Sequence, residues 1–214
     1  MSARSSFIEI RSLMLVTLLG LSSGCATMSD DECLIANWEE VGYHDAIEGY
    51  PPERAAEHQE ACADVSVPVD FELYRHGHSL GLPYYCTETT GFETADHGGE
   101  YATQCEPDKF GSYATGYRSG REVYALKLEI RQLDSLINEK NDQTDALMSQ
   151  IGQLRTEADD SALSKSDRRE AREQASKLED IYRTLNQDID ALSASRDQLS
   201  DEMQLLVSTF YSSI

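Results

Sequence analysis

Two residue types in this chain could carry set chemistry, the five cysteines and the five histidines. Cys33, Cys62, Cys86 and Cys105 lie in the first half of the chain, and Cys25 stands apart at the end of an apolar run. A nucleophilic cysteine needs a free thiolate beside a base, and a zinc site usually needs cysteines two to four apart. The spacings here are wide, with no C-x-x-C pair, so neither zinc nor thioredoxin-like redox work is expected. An even set of four in an exported chain reads instead as two disulfides. Three pairings are possible. The two sequence-local ones, Cys33–Cys62 and Cys86–Cys105, are favoured, and each would add about 3 kcal/mol by closing a short loop.

The histidines are His44, His58, His76, His78 and His97. His76 and His78 are the only close pair, and two positions apart on a helix they point in different directions. No Gly-x-Ser-x-Gly elbow and no glycine-rich phosphate loop occurs in the sequence. The chain is therefore expected to be no enzyme, with no catalytic residue, cofactor or metal.

These residues sit behind a secretory signal. Arg4 and Arg11 precede an apolar core, Leu13 to Leu21, that is too short to span a bilayer. Ser22-Ser23-Gly24 and then Cys25 follow. This arrangement resembles a bacterial lipoprotein box. The resemblance implies diacylglyceryl transfer to the Cys25 thiol, cleavage after residue 24, and acylation of the new amine. An ordinary cleaved signal with an incidental cysteine is the other reading. Several acyl chains at about 0.8 kcal/mol per CH₂ make a stable membrane anchor. Ala26, rather than aspartate, follows the cysteine, and by the same resemblance this implies the outer membrane, facing the periplasm.

The expected organisation is a signal peptide over 1–24, a lipid-anchored tether over 25–32, a cysteine- and glycine-rich head over 33–120 and a helical hairpin over 121–214. All five prolines and ten of the 13 glycines lie between Cys25 and Gly120, so the head should consist of short elements. Helices are expected over 37–47, 53–62 and 70–80, the last capped by Asp70 and stopped by Pro83. Residues 84–99 read as a loop or short hairpin and 101–105 as a short strand. Asp108 is placed to cap the helix leading into the hairpin.

One spacing recurs in the head. Tyr74-x-x-Gly77-x-x-x-Gly81 returns as Tyr113-x-x-Gly116-x-x-x-Gly120, with Tyr43-x-x-Ala46 a looser echo. Glycines four apart share a helical face, and each costs about 1 kcal/mol against alanine in a helix. Their repetition suggests close helix packing. A glycine-floored binding surface walled by Trp38, Tyr43, Tyr74, Tyr84 and Tyr85, suited to peptidoglycan or a peptide, is the alternative.

The head also carries a longer set of residues: Cys33, Trp38, Gly42-Tyr43, His58-x-x-x-Cys62, Tyr74-Arg75-His76-Gly77, Gly81-Leu82-x-x-Tyr85-Cys86, Tyr101-x-x-x-Cys105 and Tyr113-x-x-Gly116-Tyr117-x-x-Gly120. Together they resemble a proteobacterial lipoprotein family known as domain of unknown function 2799. The resemblance spans about residues 25–137. It implies an exported, lipid-anchored protein and carries no activity across. Family members often place Asp-Gly after the first Gly-Tyr, where this chain has Asp45-Ala46.

The last ninety-odd residues position everything else. Leu126, Ile130, Leu133, Ile137, Leu147, Ile151 and Leu154 recur at steps that suit a coiled-coil seam. After a break near Asp159-Asp160-Ser161 the pattern resumes with Leu178, Tyr182, Leu185, Ile189, Leu192, Leu199, Met203, Leu206 and Phe210. Ser164 to Asp167 reads as a capping box for the second arm. A turn near Ala162 would fold the arms antiparallel and return Leu206 and Phe210 to the head; a continuous rod in a parallel dimer is the other option. Lys140, Thr144 and Arg196 interrupt the seam and could fix register. Leu128, Leu136, Met148, Ile181 and Leu205 widen the apolar stripe beyond the seam. They suggest self-association or a protein partner on the arms, or further packing on the head and paired arm.

The expected fold is thus mainly α, a small disulfide-tied head followed by a long antiparallel helical hairpin. With a net charge of −21, the chain should repel nucleic acid and anionic head groups. The expected function is structural or interactive: a membrane-anchored protein whose arms dock a partner.

Overall fold

The computed structural model describes residues 27–214, so the signal and Cys25 lie outside the described residues. Among these residues there are seven helices and no strand: α1 (Asp30–Ile35), α2 (Trp38–Ile47), α3 (Arg54–Ala61), α4 (Phe71–Tyr85), α5 (Glu88–Asp96), α6 (Gly111–Asp159) and α7 (Lys165–Ser213). Three pairings dominate the packing: α2 on α4, α5 on α6, and α6 on α7. The disulfides are Cys33–Cys62 and Cys86–Cys105, the two sequence-local pairs.

The head is built twice. Glu39-x-x-Gly42-Tyr43-x-x-Ala46-x-x-Gly49 on α2 has the spacing of Glu88-x-x-Gly91-Phe92-x-x-Ala95-x-x-Gly98 on α5. Their partners α4 and α6 carry the matching Tyr-x-x-Gly-x-x-x-Gly-x-x-x-Tyr runs that begin at Tyr74 and Tyr113. The glycines are where paired backbones touch. A Cβ on Gly77 would lie 2.6 Å from the carbonyl carbon of Glu39, and one on Gly116 would lie 2.7 Å from that of Glu88. Gly42 meets the backbone of Tyr74 and His78, and Gly91 that of Tyr113 and Tyr117.

Smaller details repeat too. α2 and α5 both end in a left-handed glycine, Gly49 at φ 86° and Gly98 at φ 80°, the conformation that glycine adopts freely. Tyr50 N donates to Asp45 O as Gly99 N donates to Thr94 O. The ring of His78 bonds the Tyr50 carbonyl at 2.8 Å, and the Tyr117 hydroxyl bonds the Gly99 carbonyl at 3.0 Å. In each unit a disulfide ties the segment before the first helix to the loop before the second.

Four local expectations need correction. Residues 84–99 are not a loop or hairpin: Thr87 caps α5 by accepting from Thr90 N at 3.1 Å, and Gly91, which reads as a breaker, is a contact glycine. Pro83 does not end α4. The helix runs to Tyr85 because the next groups are held, Cys86 by its disulfide and Tyr85 by stacking on Tyr113. Residues 101–105 form turns rather than a strand, closed by Tyr101 Oη donating to Cys105 O at 2.8 Å. Asp108 does not cap α6. The helix starts after Phe110, whose ring packs on the Cys86–Cys105 and Tyr113 cluster and sets the starting point. α1, with a Ser29–Glu32 capping box, is a further helix that the sequence reading lacked.

The arms are antiparallel, and each helix has 49 residues, about 70 Å at 1.5 Å per residue. Asp160 Oδ1 accepts from Ala162 N at the turn, and Ser164 Oγ accepts from Asp167 N to start α7. At the tip Ala158, Ala171 and Ala175 are buried, small enough to let the arms converge. The polar seam residues are used: Lys140 bonds Asp188 at 2.8 Å, Arg196 bonds Asp134 at 3.3 Å, and Thr144 is buried. At the base Phe210 stacks on Phe92 with ring centroids 4.0 Å apart, over Val123.

Candidate functional site

The densest polar constellation is buried in the first unit. α2 turns Asp45 inward, beside Gly42 and Ala46, and α3 places His58 against it. His58 Nε2 donates to Asp45 Oδ2 at 2.8 Å, and Tyr74 Oη donates to the same oxygen at 2.6 Å. Arg54 Nε sits 3.3 Å from Oδ1, close enough for charge attraction though not aligned as a hydrogen bond. The Arg54 guanidinium also lies over the Tyr50 ring at 3.5 Å, a cation–π contact. The other ring nitrogen of His58 meets Thr27 Oγ1 at 2.8 Å.

Burial pushes the Asp45 carboxyl upward. Hydrogen bonds from His58 and Tyr74, with the charges of His58 and Arg54, outweigh it and hold the group below its ordinary range. Burial and the Asp45 carboxylate push the Tyr74 phenol well above its ordinary range. The order hydroxyl, imidazole, carboxylate is that of a nucleophile, its base and an orienting acid. Here, however, His58 is only 2% exposed and Asp45 is already engaged by Tyr74 and Arg54. What the set does geometrically is fasten the chain at Thr27, two residues after Cys25, to the head. A cleft of about 500 Å³ opens beside it, with Glu40, His44, Asp45, Arg54 and His58 among its walls.

The five residues expected to wall a binding surface do not form one. Trp38 and Tyr74 are buried in the core around Cys33–Cys62. Tyr85 is half-buried and stacks on Tyr113, 6.2 Å between centroids. Tyr43 is half-buried, edge-on to the exposed Tyr84 at 6.0 Å. Helix pairing at the glycines draws Trp38 and Tyr74 inward, so the aromatics serve as core. His76 and His78 diverge: His76 faces solvent near Glu39, and His78 is buried against the Tyr50 carbonyl. Thr27, Asp45 and Arg54 were missed as a set with His58. The available signal was Asp45, a charged residue on the glycine–alanine face of α2.

No curated protein and no solved structure matches this chain. Residues 37–122, from the cap of α2 into the first turns of α6, match the family model described as Protein of unknown function (DUF2799). That stretch, which covers both glycine-paired units, is a domain of the DUF2799 family.

Proposed function

We propose that this is a lipid-anchored structural or interaction protein of the bacterial cell envelope, without catalysis. It is exported by residues 1–24, acylated at Cys25, held at the outer membrane facing the periplasm, and docks a partner through its arms. The observation that carries the reading is the arms' leftover apolar surface. Leu136, Met148, Ile181 and Leu205 are 45, 53, 50 and 66% exposed although the two arms pack on each other along their length. The arms could have packed on each other with charged residues at these positions, which would cost less in solubility.

The test uses the full chain with its signal in bacterial cells. A photo-crosslinking residue replaces Leu136 or Ile181, and acyl incorporation is followed in parallel with Cys25→Ser as control. The reading expects label at Cys25 and one discrete crosslinked partner, lost when Met148 and Leu205 are changed to Glu. Absence of label ends the anchoring half, and absence of any adduct ends the docking half. The alternative, a head that binds peptidoglycan or peptide, draws on the cleft beside Arg54. Cell-wall sedimentation of the arm-truncated protein would favour it.

A further inference from the structure

The chain is fastened to the head almost as soon as it passes Cys25. Thr27 Oγ1 bonds the His58 ring at 2.8 Å, Ser29 caps α1, and Cys33 closes its disulfide to Cys62. Met28, Cys33 and Ala36 turn inward, onto the core around Trp38. Leu34 and Ile35 turn outward. They are 62 and 83% exposed, and Ile35 is the most exposed large apolar side chain among the described residues. Ile35 lines the same cleft as Thr27 and Met28.

We propose that Leu34 and Ile35 are a membrane contact, dipped into the lipid surface that anchors Cys25. The contact rests on the anchoring reading above. Two residue steps join Cys25 to Thr27, a span of about 7 Å at most. With Thr27 bonded to His58, a lipid held on Cys25 brings this edge of the head to the bilayer rather than leaving it on a long leash. Two apolar side chains that the core does not use then leave water for lipid. Acyl chains alone would hold the protein without orienting it, and the pair sets which edge of the head faces the bilayer. Charge sets the lipid class. Asp30, Asp31 and Glu32 fill the first turn of α1 and are all exposed, so the edge suits zwitterionic head groups and is repelled by anionic ones.

The test uses the chain from Cys25 to Ile214, which holds every described residue. Four of the five cysteines are in disulfides, so an alkyl maleimide places a single tetradecyl group on Cys25, whether or not cells acylate it. One such chain binds membranes only marginally, which leaves the apolar pair visible. Leu34→Ser with Ile35→Ser should lower partition onto phosphatidylcholine vesicles by about tenfold or more. Met148→Ser with Leu205→Ser, on the arms, should leave it unchanged. In a second measurement Ile35→Trp should be quenched by lipids brominated on their acyl chains, while the buried Trp38 of the wild type should not. Partition unmoved at Leu34 and Ile35, an equal drop in the arm variant, an unquenched Ile35→Trp, or binding strengthened by phosphatidylglycerol would each overturn the proposal. Failure of cells to label Cys25 would remove the anchoring reading and this contact together. Label in cells with an unmoved partition would remove this contact alone.

Discussion

Alanine at Gly77 tests the duplicated packing, because two physical effects predict opposite signs. On propensity alone Gly77→Ala, inside α4, should stabilise the protein by about 1 kcal/mol. The structure says otherwise. The new Cβ would stand 2.6 Å from the carbonyl carbon and 2.9 Å from the Cα of Glu39, and closer still to its oxygen. Ordinary contact begins near 3.4 Å, so the helices must part by roughly an ångström. What must yield is backbone, which cannot swing away. The Tyr74–Asp45 bond also ties α4 to α2 close to this contact. Overpacking of this kind costs about 1–3 kcal/mol, and the stretched Tyr74–Asp45 bond adds to it. The expected net loss is about 2 kcal/mol, and Gly116→Ala should lose a similar amount because Glu88 stands in the same relation to it.

The internal control is Gly152, in mid-α6, where an added Cβ meets nothing within 4 Å. Gly152→Ala should gain about 0.5–1 kcal/mol. Urea unfolding of the oxidised protein, followed by circular dichroism, measures all three variants. If Gly77→Ala shifts the midpoint upward as Gly152→Ala does, the close backbone contact is wrong and the repeat loses its physical basis.

Other expectations follow from named contacts. Phe210→Ala should cost about 3–5 kcal/mol at the joint between hairpin and head, and should raise hydrogen exchange around Phe92 in preference to the hairpin tip. Replacing Cys33 and Cys62 together by serine should cost about 3 kcal/mol, read as a lowered urea midpoint. Asp45→Asn should cost about 3 kcal/mol at pH 7, as breaking a buried charged pair does. Because Asp45 is lowered in the folded state, its contribution is full above about pH 4 and fades as pH falls through the folded value. The gap between wild type and Asp45→Asn should therefore narrow in acid. Tyr74 is raised, so its sign is reversed: wild-type stability should decline above about pH 10 through this phenol, and Tyr74→Phe should lack that decline.

The hairpin was legible because its signal is long. A seam sustained over two arms of 49 residues, with a capping serine between them, leaves few alternatives. The disulfides were legible because the chain has only four candidates beyond Cys25 and the short loops are the easiest to close. α5 was hidden because Gly91 and two threonines score as loop, and nothing local reveals that Tyr113, far along the chain, needs a residue without a side chain there. Pro83 misled for a related reason: a breaker rule says nothing of the disulfide and ring stack that hold the next turn. Beyond the charge of Asp45 on the glycine–alanine face of α2, the cluster could not be assembled from the sequence, because its members come from four separate segments, at Thr27, α2, Arg54–His58 and Tyr74.

The duplication explains why the two halves of the head differ where they do. Both units need the same thing, a pair of helices in backbone contact and a disulfide behind them, and the residues serving that need are nearly unchanged. The differences fall on what each unit attaches to. The second unit continues its second helix into the arms and seats their returning end on Phe92, so its position equivalent to Tyr84 is the small, buried Val123. The first unit inserts α3 between its two helices, and α3 supplies Arg54 and His58, which with Asp45 fasten the segment at Thr27. Asp45 itself stands at the repeat position of Thr94, a residue that needs no charge because nothing there has to be clamped. One unit thus holds the hairpin and the other holds the N-terminal segment. The two units meet where Tyr85 stacks on Tyr113 and where Gln104 Nε2 donates to the Gly49 carbonyl at 2.8 Å.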